Sequence, residues 1–221
     1  MTAAPAPTVF IVDDDVPLLR ALSRLLREHD WQVATFSSAE NFLAQRDARA
    51  PGCLVLDVNL PGLDGLALQR WLAEAGPALP IVFLTGHGDI PMTVQALKAG
   101  AVDFLTKPVA AQALLAAVRN GVEQDALARA QRDEGAILRQ RLDSLTQRER
   151  EVLAGLMAGR LNKQIAADLG IVEQTVKFHR ARIMERMHAR TVAELMHLAA
   201  SLGLAGAGPS PAESAGGRQS D

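Results

Sequence analysis

The stretch CLVLDVNLPGLDG, residues 53–65, decides the fold of the first half of the chain. Its first four residues form a short apolar run, and this run ends at the carboxylate of Asp57. Runs of four or five apolar residues, rich in β-branched or aromatic types, are typical of β-strands. Besides Cys53–Leu56, the other strands are predicted over Val9–Val12, Gln32–Phe36, Ile81–Leu84 and Val102–Leu105.

Helical periodicity fills the sequence between these strands. Leu18, Leu22, Leu25 and Leu26 have the i, i+4, i+7, i+8 spacing that places apolar residues on one side of a helix. Five alternating strand–helix units predict an α/β domain over residues 8–125, a five-stranded doubly wound parallel sheet of the flavodoxin type. Ligands bind such sheets at the carboxyl ends of the strands. The helices are predicted over Val16–Glu28, Ser38–Gln45, Leu66–Glu74, Pro91–Lys98 and Ala110–Gly121.

The second half of the chain has a different sequence pattern, because residues 144–200 contain no strand-like run. Thr146 and Glu149 predict a capping box at the start of the first of four helices. The second and third helices are joined by three residues that include Gly170, which is the signature of a helix-turn-helix. The four helices are predicted over Thr146–Met157, Asn162–Leu169, Glu173–Met187 and Thr191–Ala200. We therefore expect a second, smaller all-α domain over 144–203, after a helical linker over 126–143 and before a disordered tail over 204–221.

Composition and charge exclude several classes of protein. Of 221 residues, 48% are hydrophobic and 22% charged, so the chain can bury a core. A single cysteine, Cys53, excludes a disulfide framework and a cysteine-built metal site. The chain lacks signal-peptide features and any apolar run near the ~18 residues of a membrane span, so we expect a cytoplasmic protein without a membrane partner. Residues 1–125 are acidic and 144–200 mildly basic, which favours a cationic ligand for the first domain and a polyanion for the second.

Polar residues follow the predicted strands at the edge where ligands bind. The first strand is followed by Asp13-Asp14-Asp15 and the third by Asp57, so several carboxylates converge there. Converging carboxylates repel each other unless a divalent cation neutralises them, and oxygen ligands suit Mg²⁺. Thr85 adds a hydroxyl and Lys107 an ammonium. Such a set suits a transferring phosphoryl group, with one aspartate as the nucleophile.

In their order and spacing, Ile11-Val12-Asp13-Asp14, the stretch around Asp57, Thr85-Gly86 and Lys107-Pro108 resemble the receiver domain of two-component response regulators. The resemblance implies that Asp57 is phosphorylated by a sensor histidine kinase. It further implies a cis Lys107–Pro108 bond and a signalling role for Thr85, Lys107 and the switch aromatic Phe104. The Mg²⁺ ligands that it implies are Asp13, Asp14, Asp57 and the backbone carbonyl of Asn59.

Two residues near this site have alternative interpretations. Asp15 extends the acidic pair, and we interpret it as a solvated residue or as the N-cap of the first helix. His87 lies two residues after Thr85, where a side chain can influence the attack of water on a phosphoaspartate. It is otherwise a solvent-facing loop histidine. The segments Thr85–Met92 and Ala99–Phe104 are most similar to FixJ-type regulators.

The C-terminal helices resemble the LuxR-type DNA-binding domain through LTQREREVL from Leu145, NKQIA from Asn162 and TVKFH from Thr175. In that family the third helix reads DNA and the fourth helps dimerise. Basic residues on one helix attract phosphates, and a lysine near its start can reach guanine. For Phe178, contact with a thymine methyl and packing inside the domain stay open. The candidate contacts are Lys177 and Phe178 for base edges and Asn162, Lys163, Thr175, Arg180 and Arg182 for phosphates.

Both resemblances together imply a response regulator of the FixJ/NarL class, a transcription factor whose promoter binding is controlled by phosphorylation of Asp57. It is expected not to be an enzyme, although autodephosphorylation is compatible with the site. The expected partners are a sensor histidine kinase, promoter DNA, RNA polymerase and, after phosphorylation, a second copy that docks through Pro91–Leu105. One alternative is a phosphohydrolase of the haloacid-dehalogenase kind, although Asn59 stands where that family has a second aspartate. Another is a constitutive DNA-binding protein with a vestigial receiver, against which the intact site argues.

Overall fold

Five parallel strands form one sheet in the order β2-β1-β3-β4-β5. The computed structural model describes residues 5–76, 79–86 and 96–203, and the chain divides into two units, residues 1–130 and 131–221. The strands of the first unit are β1 (Thr8–Val12), β2 (Gln32–Phe36), β3 (Gly52–Asp57), β4 (Ile81–Thr85) and β5 (Asp103–Thr106). Its helices are α1 (Val16–Arg27), α2 (Ala39–Gln45), α3 (Gly65–Ala75) and the first part of α4 (Ala111–Asp143).

The register of the sheet brings the predicted site residues to one edge. Val12 pairs with Leu56, so Asp13 and Asp57 follow on neighbouring strands. All residues of β3 and β4 are buried. Because successive side chains of a strand point to opposite faces, each apolar run contributes to both cores. Phe10, Leu54 and Phe83 pack into the core on one face, and Ile11, Val55 and Leu84 into the other.

Helix α4 continues to Asp143, so the predicted end of this helix at Gly121 is wrong. Gly121 lies where the helix packs closely against Cys53 of β3. A Cβ added at Gly121 would lie 3.0 Å from the Cβ of Cys53. The glycine therefore permits close packing of a continuous helix and does not terminate it.

Asp125 and Arg129, an ion pair within α4, hold the helix against the amino-terminal end of β3 and the residues before it through hydrogen bonds to the backbone. Asp125 is 2% exposed, accepts a hydrogen bond from the backbone N–H of Gly52 at 2.8 Å, and pairs with Nε of Arg129 at 2.6 Å. Arg129 also donates to the backbone carbonyls of Arg49 and Ala50, both at 2.8 Å. Arg129, which lies in the predicted linker, is therefore held by the first unit.

The helices of the second unit begin and end within one residue of their predicted bounds, because their signals are local. Thr146 and Glu149 form the predicted capping box, with the Glu149 carboxylate accepting the Thr146 N–H at 2.8 Å. Gly170 ends a helix with a left-handed φ of +63°. Val176, Ile183 and Met187 pack into the core of the unit. The helices are α5 (Gln147–Met157), α6 (Asn162–Leu169), α7 (Glu173–Met187) and α8 (Val192–Ser201).

Some predictions concern residues that the structure does not describe. His87, most of the predicted helix Pro91–Lys98 and the predicted tail over 204–221 lie outside the described residues. In the parts of the chain that are described, no helix combines the length and the apolar composition that a membrane crossing requires.

Candidate functional site

Three carboxylates meet at the carboxyl edge of the sheet. Asp13, Asp14 and Asp57 each place one oxygen within 4.8 Å of the others. Asp13 and Asp57 are buried, at 0% and 4% exposure, whereas Asp14 is exposed. Carboxylate oxygens from a partly open site are ligands that Mg²⁺ prefers. The structure therefore brings together the three aspartates that were predicted as metal ligands.

Lys107 places its ammonium between the two buried carboxylates. Its Nζ donates to Oδ2 of Asp13 at 2.7 Å and to Oδ2 of Asp57 at 2.9 Å. The residue directly follows β5, its backbone N–H donates to the carbonyl of Thr85 at 2.6 Å, and the Lys107–Pro108 bond is cis as predicted. One cation thus compensates part of the charge of two buried anions.

Burial and hydrogen bonding act in opposite directions on these groups. Burial raises the pKa of Asp13 above its ordinary value, although the hydrogen bonds from Lys107 and from the Asp15 N–H oppose this. Burial alone would lower the pKa of Lys107, but hydrogen bonds to Asp13 and Asp57 outweigh it and raise that pKa. Lys107 therefore stays charged at neutral pH and can interact with an anionic ligand.

The other predicted residues of this site surround the carboxylates. Thr85 is fully buried at the end of β4. Phe104 on β5 is half-buried, with its ring centroid 6.0 Å from that of Phe83. The backbone N–H of Asn59 donates to Oδ1 of Asp57 at 3.3 Å, so the chain turns directly after β3 and keeps Asn59 beside the carboxylate. Asp15 is the N-cap of α1, since its carboxylate accepts the Leu18 N–H at 3.0 Å.

Glu40 on α2 supports the same loop, although no pattern in the sequence predicts this role. Its Oε1 accepts the N–H of Leu63 at 3.2 Å, and a Cβ on Gly62, which has a φ of +80°, would lie 2.8 Å from that oxygen. A Cβ on Gly65 would lie 2.4 Å from the carbonyl oxygen of Asp57. Glycine is thus favoured at Gly62 by its positive φ and required at Gly65 by the close approach of the Asp57 carbonyl. No local motif marks Glu40, because Leu63 lies 23 positions away.

In the second unit, the predicted nucleic-acid contacts lie on α6 and α7. Lys177 directly follows the buried Val176 and so lies about 100° around α7 from it. Nζ of Lys177 is 3.4 Å from Oε1 of Glu173, one turn earlier. Both partners are about half exposed, so this pair is weak and free to exchange for a phosphate. Lys163, Lys177, Phe178 and Arg182 are exposed, whereas Asn162, Thr175 and Arg180 are half-buried.

Two of the predicted phosphate contacts bind each other. Nη1 of Arg180 on α7 donates to Oδ1 of Asn162, the first residue of α6, at 2.6 Å. This hydrogen bond links the two helices of the helix-turn-helix across 18 positions of sequence. Arg180 therefore stabilises the motif in addition to any contact that it makes with a ligand.

Phe178 does not pack into the domain, so that alternative is wrong. The residue is 57% exposed. The guanidinium carbon of Arg182, one turn later, lies 5.6 Å from the centroid of its ring. The ring of His179 meets it edge-on, with centroids 5.7 Å apart.

Both helices of the motif begin at exposed apolar residues that no sequence motif predicts. Leu161 precedes α6 and Val172 precedes α7, at 70% and 68% exposure. Leu161 has no side-chain oxygen to cap α6, but the side chain of Gln164 accepts a hydrogen bond from the Leu161 N–H at 2.8 Å. Val172 provides no side-chain cap. Helix N-termini without such a cap are suited to bind phosphate through their first N–H groups.

Comparisons with known proteins match both units. The family model described as the response regulator receiver domain matches residues 9–119, and that of bacterial regulatory proteins of the luxR family matches residues 143–199. Nodulation protein W of Bradyrhizobium diazoefficiens is 44% identical over 202 residues, which cover 91% of this chain and 89% of that protein. The transcriptional regulatory protein FixJ of Rhizobium meliloti is 40% identical over 203 residues, which cover 92% of this chain and 98% of that protein.

Solved structures extend the similarity to three dimensions. The response regulator StyR, known at low resolution, has a TM-score of 0.80 and 47% identity, covering 89% of this chain and 99% of its own. Full-length FixJ from B. japonicum has a TM-score of 0.53 and 37% identity, and the match covers 90% of this chain and 98% of that protein. Both similarities therefore span the two units.

Proposed function

The chain belongs to the two-component response regulators that join a receiver domain to a LuxR-type DNA-binding domain, and we propose that phosphorylation of Asp57 controls its binding to promoter DNA. Proteins of this family are transcription regulators and not classical enzymes. The observation that carries the assignment of Asp57 is its position, buried beside Asp13 and 2.9 Å from the ammonium of Lys107. We assign the receiver to residues 8–125 and the DNA-binding domain to residues 144–203.

Phosphoryl transfer at this site needs a nucleophile and compensation of charge. A carboxylate oxygen of Asp57 attacks the phosphorus of a phosphohistidine on the sensor kinase. The new P–O bond forms as the P–N bond breaks, and the electron pair leaves with the imidazole. Lys107 already contacts Asp57, so its ammonium is placed to bind an oxygen of the transferred group. The hydroxyl of Thr85, at the end of the adjacent strand, donates to another.

The acidic cluster fits a magnesium ion. Asp13, Asp14 and Asp57, with the backbone carbonyl of Asn59, would hold it, and bound Mg²⁺ would supply positive charge to the phosphoryl oxygens. The hydrogen bond that Lys107 donates to Asp13 at 2.7 Å opposes the effect of burial, which raises the pKa of that carboxyl.

We further propose that phosphorylation changes the state of assembly. Thr85 moves toward the phosphoryl group, Phe104 turns into the space behind it, and the surface over Pro91–Leu105 becomes competent to bind a second copy. Part of that surface lies outside the described residues, while Leu97 within it is 45% exposed. The dimer then binds promoter DNA in the cytoplasm and contacts RNA polymerase.

The proposed DNA contacts follow from the exposed face of α7. Lys177 and Phe178 meet base edges, while Lys163, Thr175, Arg180 and Arg182, together with Asn162, meet phosphates. The uncapped N–H groups after Val172 provide one more phosphate contact. Positive side chains beside a helix N-terminus favour binding to a polyanion.

One experiment separates the proposed function from its rivals. The full chain is incubated with Mg²⁺ and a small phosphodonor such as acetyl phosphate, and the products are analysed by mass and by DNA binding. A persistent acyl phosphate with tighter DNA binding supports the proposal. Turnover of added phosphomonoesters would identify a phosphohydrolase. The absence of both an adduct and turnover would identify a vestigial receiver. In sedimentation, beryllofluoride should convert the monomer to a dimer at tens of micromolar, and a mass that stays monomeric contradicts the assembly step.

A further inference from the structure

We infer that Phe178 reads a thymine by packing its ring against the 5-methyl group in the major groove, with Arg182 as the residue that positions the ring. This inference rests on the proposed binding of α7 to DNA and names the chemical group that one of its residues recognises. The supporting observations are the exposure of Phe178, the charges around it and the contact with Arg182.

The ring of Phe178 lies on the outer face of α7. Each residue of an α-helix advances by about 100°, so Phe178 points roughly opposite to the buried Val176. The residue is 57% exposed although phenylalanine is among the most apolar side chains. Covering an exposed aromatic ring with a ligand removes apolar surface from water and is favourable. The position therefore offers an apolar contact to a ligand of α7.

The charges around the ring favour DNA as the group that covers it. Lys177 precedes Phe178, Arg182 lies one turn later, and both side chains are more than half exposed. Their present partners, Glu173 and Glu185, are exposed and form weak ion pairs that the phosphates of a polyanion can replace, whereas an apolar protein surface offers these cations no partner. Within the major groove, the thymine methyl is the apolar group among hydrogen-bond donors and acceptors, and phenylalanine is one of the side chains that contact it.

Arg182 restricts the ring before DNA is bound. Its guanidinium carbon lies 5.6 Å from the ring centroid, and its Nη1 donates to Oε2 of Glu185 at 3.0 Å. The guanidinium is thus held from one side by a carboxylate and covers one face of the ring. A ring that is already oriented loses less conformational entropy on binding. Lysine keeps the charge of arginine but lacks the planar group that stacks on a ring. Arg182→Lys therefore separates the attraction of phosphate from the orientation of the Phe178 ring.

The test begins with the unaltered protein. Binding sites are selected from random duplexes with the phosphorylated full chain, and each thymine of the selected site is then replaced by uracil, which lacks the 5-methyl group. We expect one position per half-site at which uracil weakens binding about fourfold, the effect of exposing one methyl-sized apolar group. Because only the DNA is changed, this measurement does not depend on the folding of a variant.

Variants then assign that thymine to Phe178. In Phe178→Ala, uracil at the sensitive position should cost nothing further, because no ring remains to contact the methyl. Leu161→Ala is the matched control, since it removes another exposed apolar side chain of the same unit and should keep the fourfold loss. Arg182→Lys should reduce the loss at that position while the dependence of binding on salt stays unchanged, since the charge is retained.

Several outcomes would overturn the inference. It fails if uracil has no effect at any position, or if the effect persists undiminished in Phe178→Ala. An Arg182→Lys variant that keeps the full fourfold loss removes the positioning role. If selection enriches no sequence at all, then the proposed DNA binding itself is contradicted. A selected site without methyl dependence contradicts only the role of Phe178.

Discussion

Lys107 and Asp57 are 50 positions apart in the chain, yet Nζ of the lysine lies 2.9 Å from Oδ2 of the aspartate. The same ammonium lies 2.7 Å from Oδ2 of Asp13, which is 94 positions away. Lys107 therefore bridges β1 and β3 from the loop after β5. In the proposed reaction, a phosphoryl group on Asp57 would meet an ion pair that already exists, which links the segment after β5 to the site.

Asp57→Asn should abolish labelling by a small phosphodonor and leave the fold intact, because the amide has nearly the same shape but is a poor nucleophile. Mass spectrometry of the intact chain measures the adduct. Asp64→Asn is the matched control, since Asp64 lies in the same loop and caps α3 by accepting the Ala67 N–H at 2.6 Å, a role that asparagine also fills. An unchanged adduct in Asp57→Asn would show that another residue is the acceptor.

Lys107→Ala should lower the free energy of unfolding by about 1.5–3 kcal/mol in the absence of Mg²⁺, because two buried carboxylates lose a charged hydrogen-bond donor. Added Mg²⁺ should restore part of this loss, and the variant should still accept a phosphoryl group without gaining affinity for DNA. Urea titrations with and without Mg²⁺ measure the first effect. Lys98→Ala, at an exposed lysine, is the control for stability. Phosphorylation-dependent DNA binding that survives in Lys107→Ala would contradict its role in signalling.

Glu149→Gln should destabilise the second unit at neutral pH but not in acid. Burial acts to raise the pKa of Glu149, but hydrogen bonds from Thr146 and the charges of Arg186 and His179 outweigh it and lower that pKa. A carboxyl with a lowered pKa contributes stability above its ordinary pKa of about 4.3, and this contribution is lost as the pH falls through the folded value. Denaturation of wild type and variant between pH 3 and 7 tests this. For Glu134→Gln, at an exposed residue, the difference in unfolding free energy from wild type should not change with pH. If the difference between Glu149→Gln and wild type is also constant with pH, the explanation is refuted.

Cys53 should resist alkylation in the native protein at pH 8. Burial and the charge of Asp125 raise the pKa of its thiol to about 12, and the thiolate is the reactive form. Because the chain has one cysteine, labelling in urea should reach one equivalent and provides the control. The native reaction should proceed at the rate at which the first unit opens. Fast stoichiometric labelling without denaturant would show that β3 is not buried in solution.

Lys177→Ala and Arg180→Ala should weaken DNA binding in different ways. Loss of Lys177 should cost about 1–3 kcal/mol on the selected site and relax discrimination at one base pair. Loss of Arg180 should weaken binding to all sequences and reduce the log–log salt slope by about one. It should also lower stability by about 1 kcal/mol, since Asn162 loses its donor. Titrations of selected and scrambled duplexes at several salt concentrations measure these effects. Equal weakening on both duplexes by Lys177→Ala would refute the assigned orientation of α7.

Part of this structure was predictable because its signals are local. The capping box of Thr146 and the N-cap of Asp15 act over three residues, and apolar periodicity acts over one or two turns. Such patterns identified the strands and nearly all the described helices. The order of strands and helices then placed Asp13, Asp57 and Lys107 at one edge, since parallel strands end together. The resemblance to receiver domains assigned roles that the residues alone left open.

Gly121 shows where local signals mislead. Glycine commonly ends a helix, and the sequence offers no sign that this one faces Cys53, 68 positions earlier. The close approach of α4 to β3 exists only once the helix has packed on the sheet. Exposure of Phe178 is likewise a property of the folded unit, because residues on α7 are separated into buried and outer faces by the helices that pack against it.

The sequence by itself determined which segments form strands and helices, the division into an α/β and an all-α part, and the set of charged residues at the sheet edge. Only the tertiary structure decided which atoms meet. It paired Lys107 with two carboxylates, Glu40 with the Leu63 N–H, Asp125 with the Gly52 N–H and Arg180 with Asn162. The physical reason is that most of these contacts join residues 18 to 94 positions apart. Their distances depend on how whole elements pack, which no pattern within a few turns of chain contains.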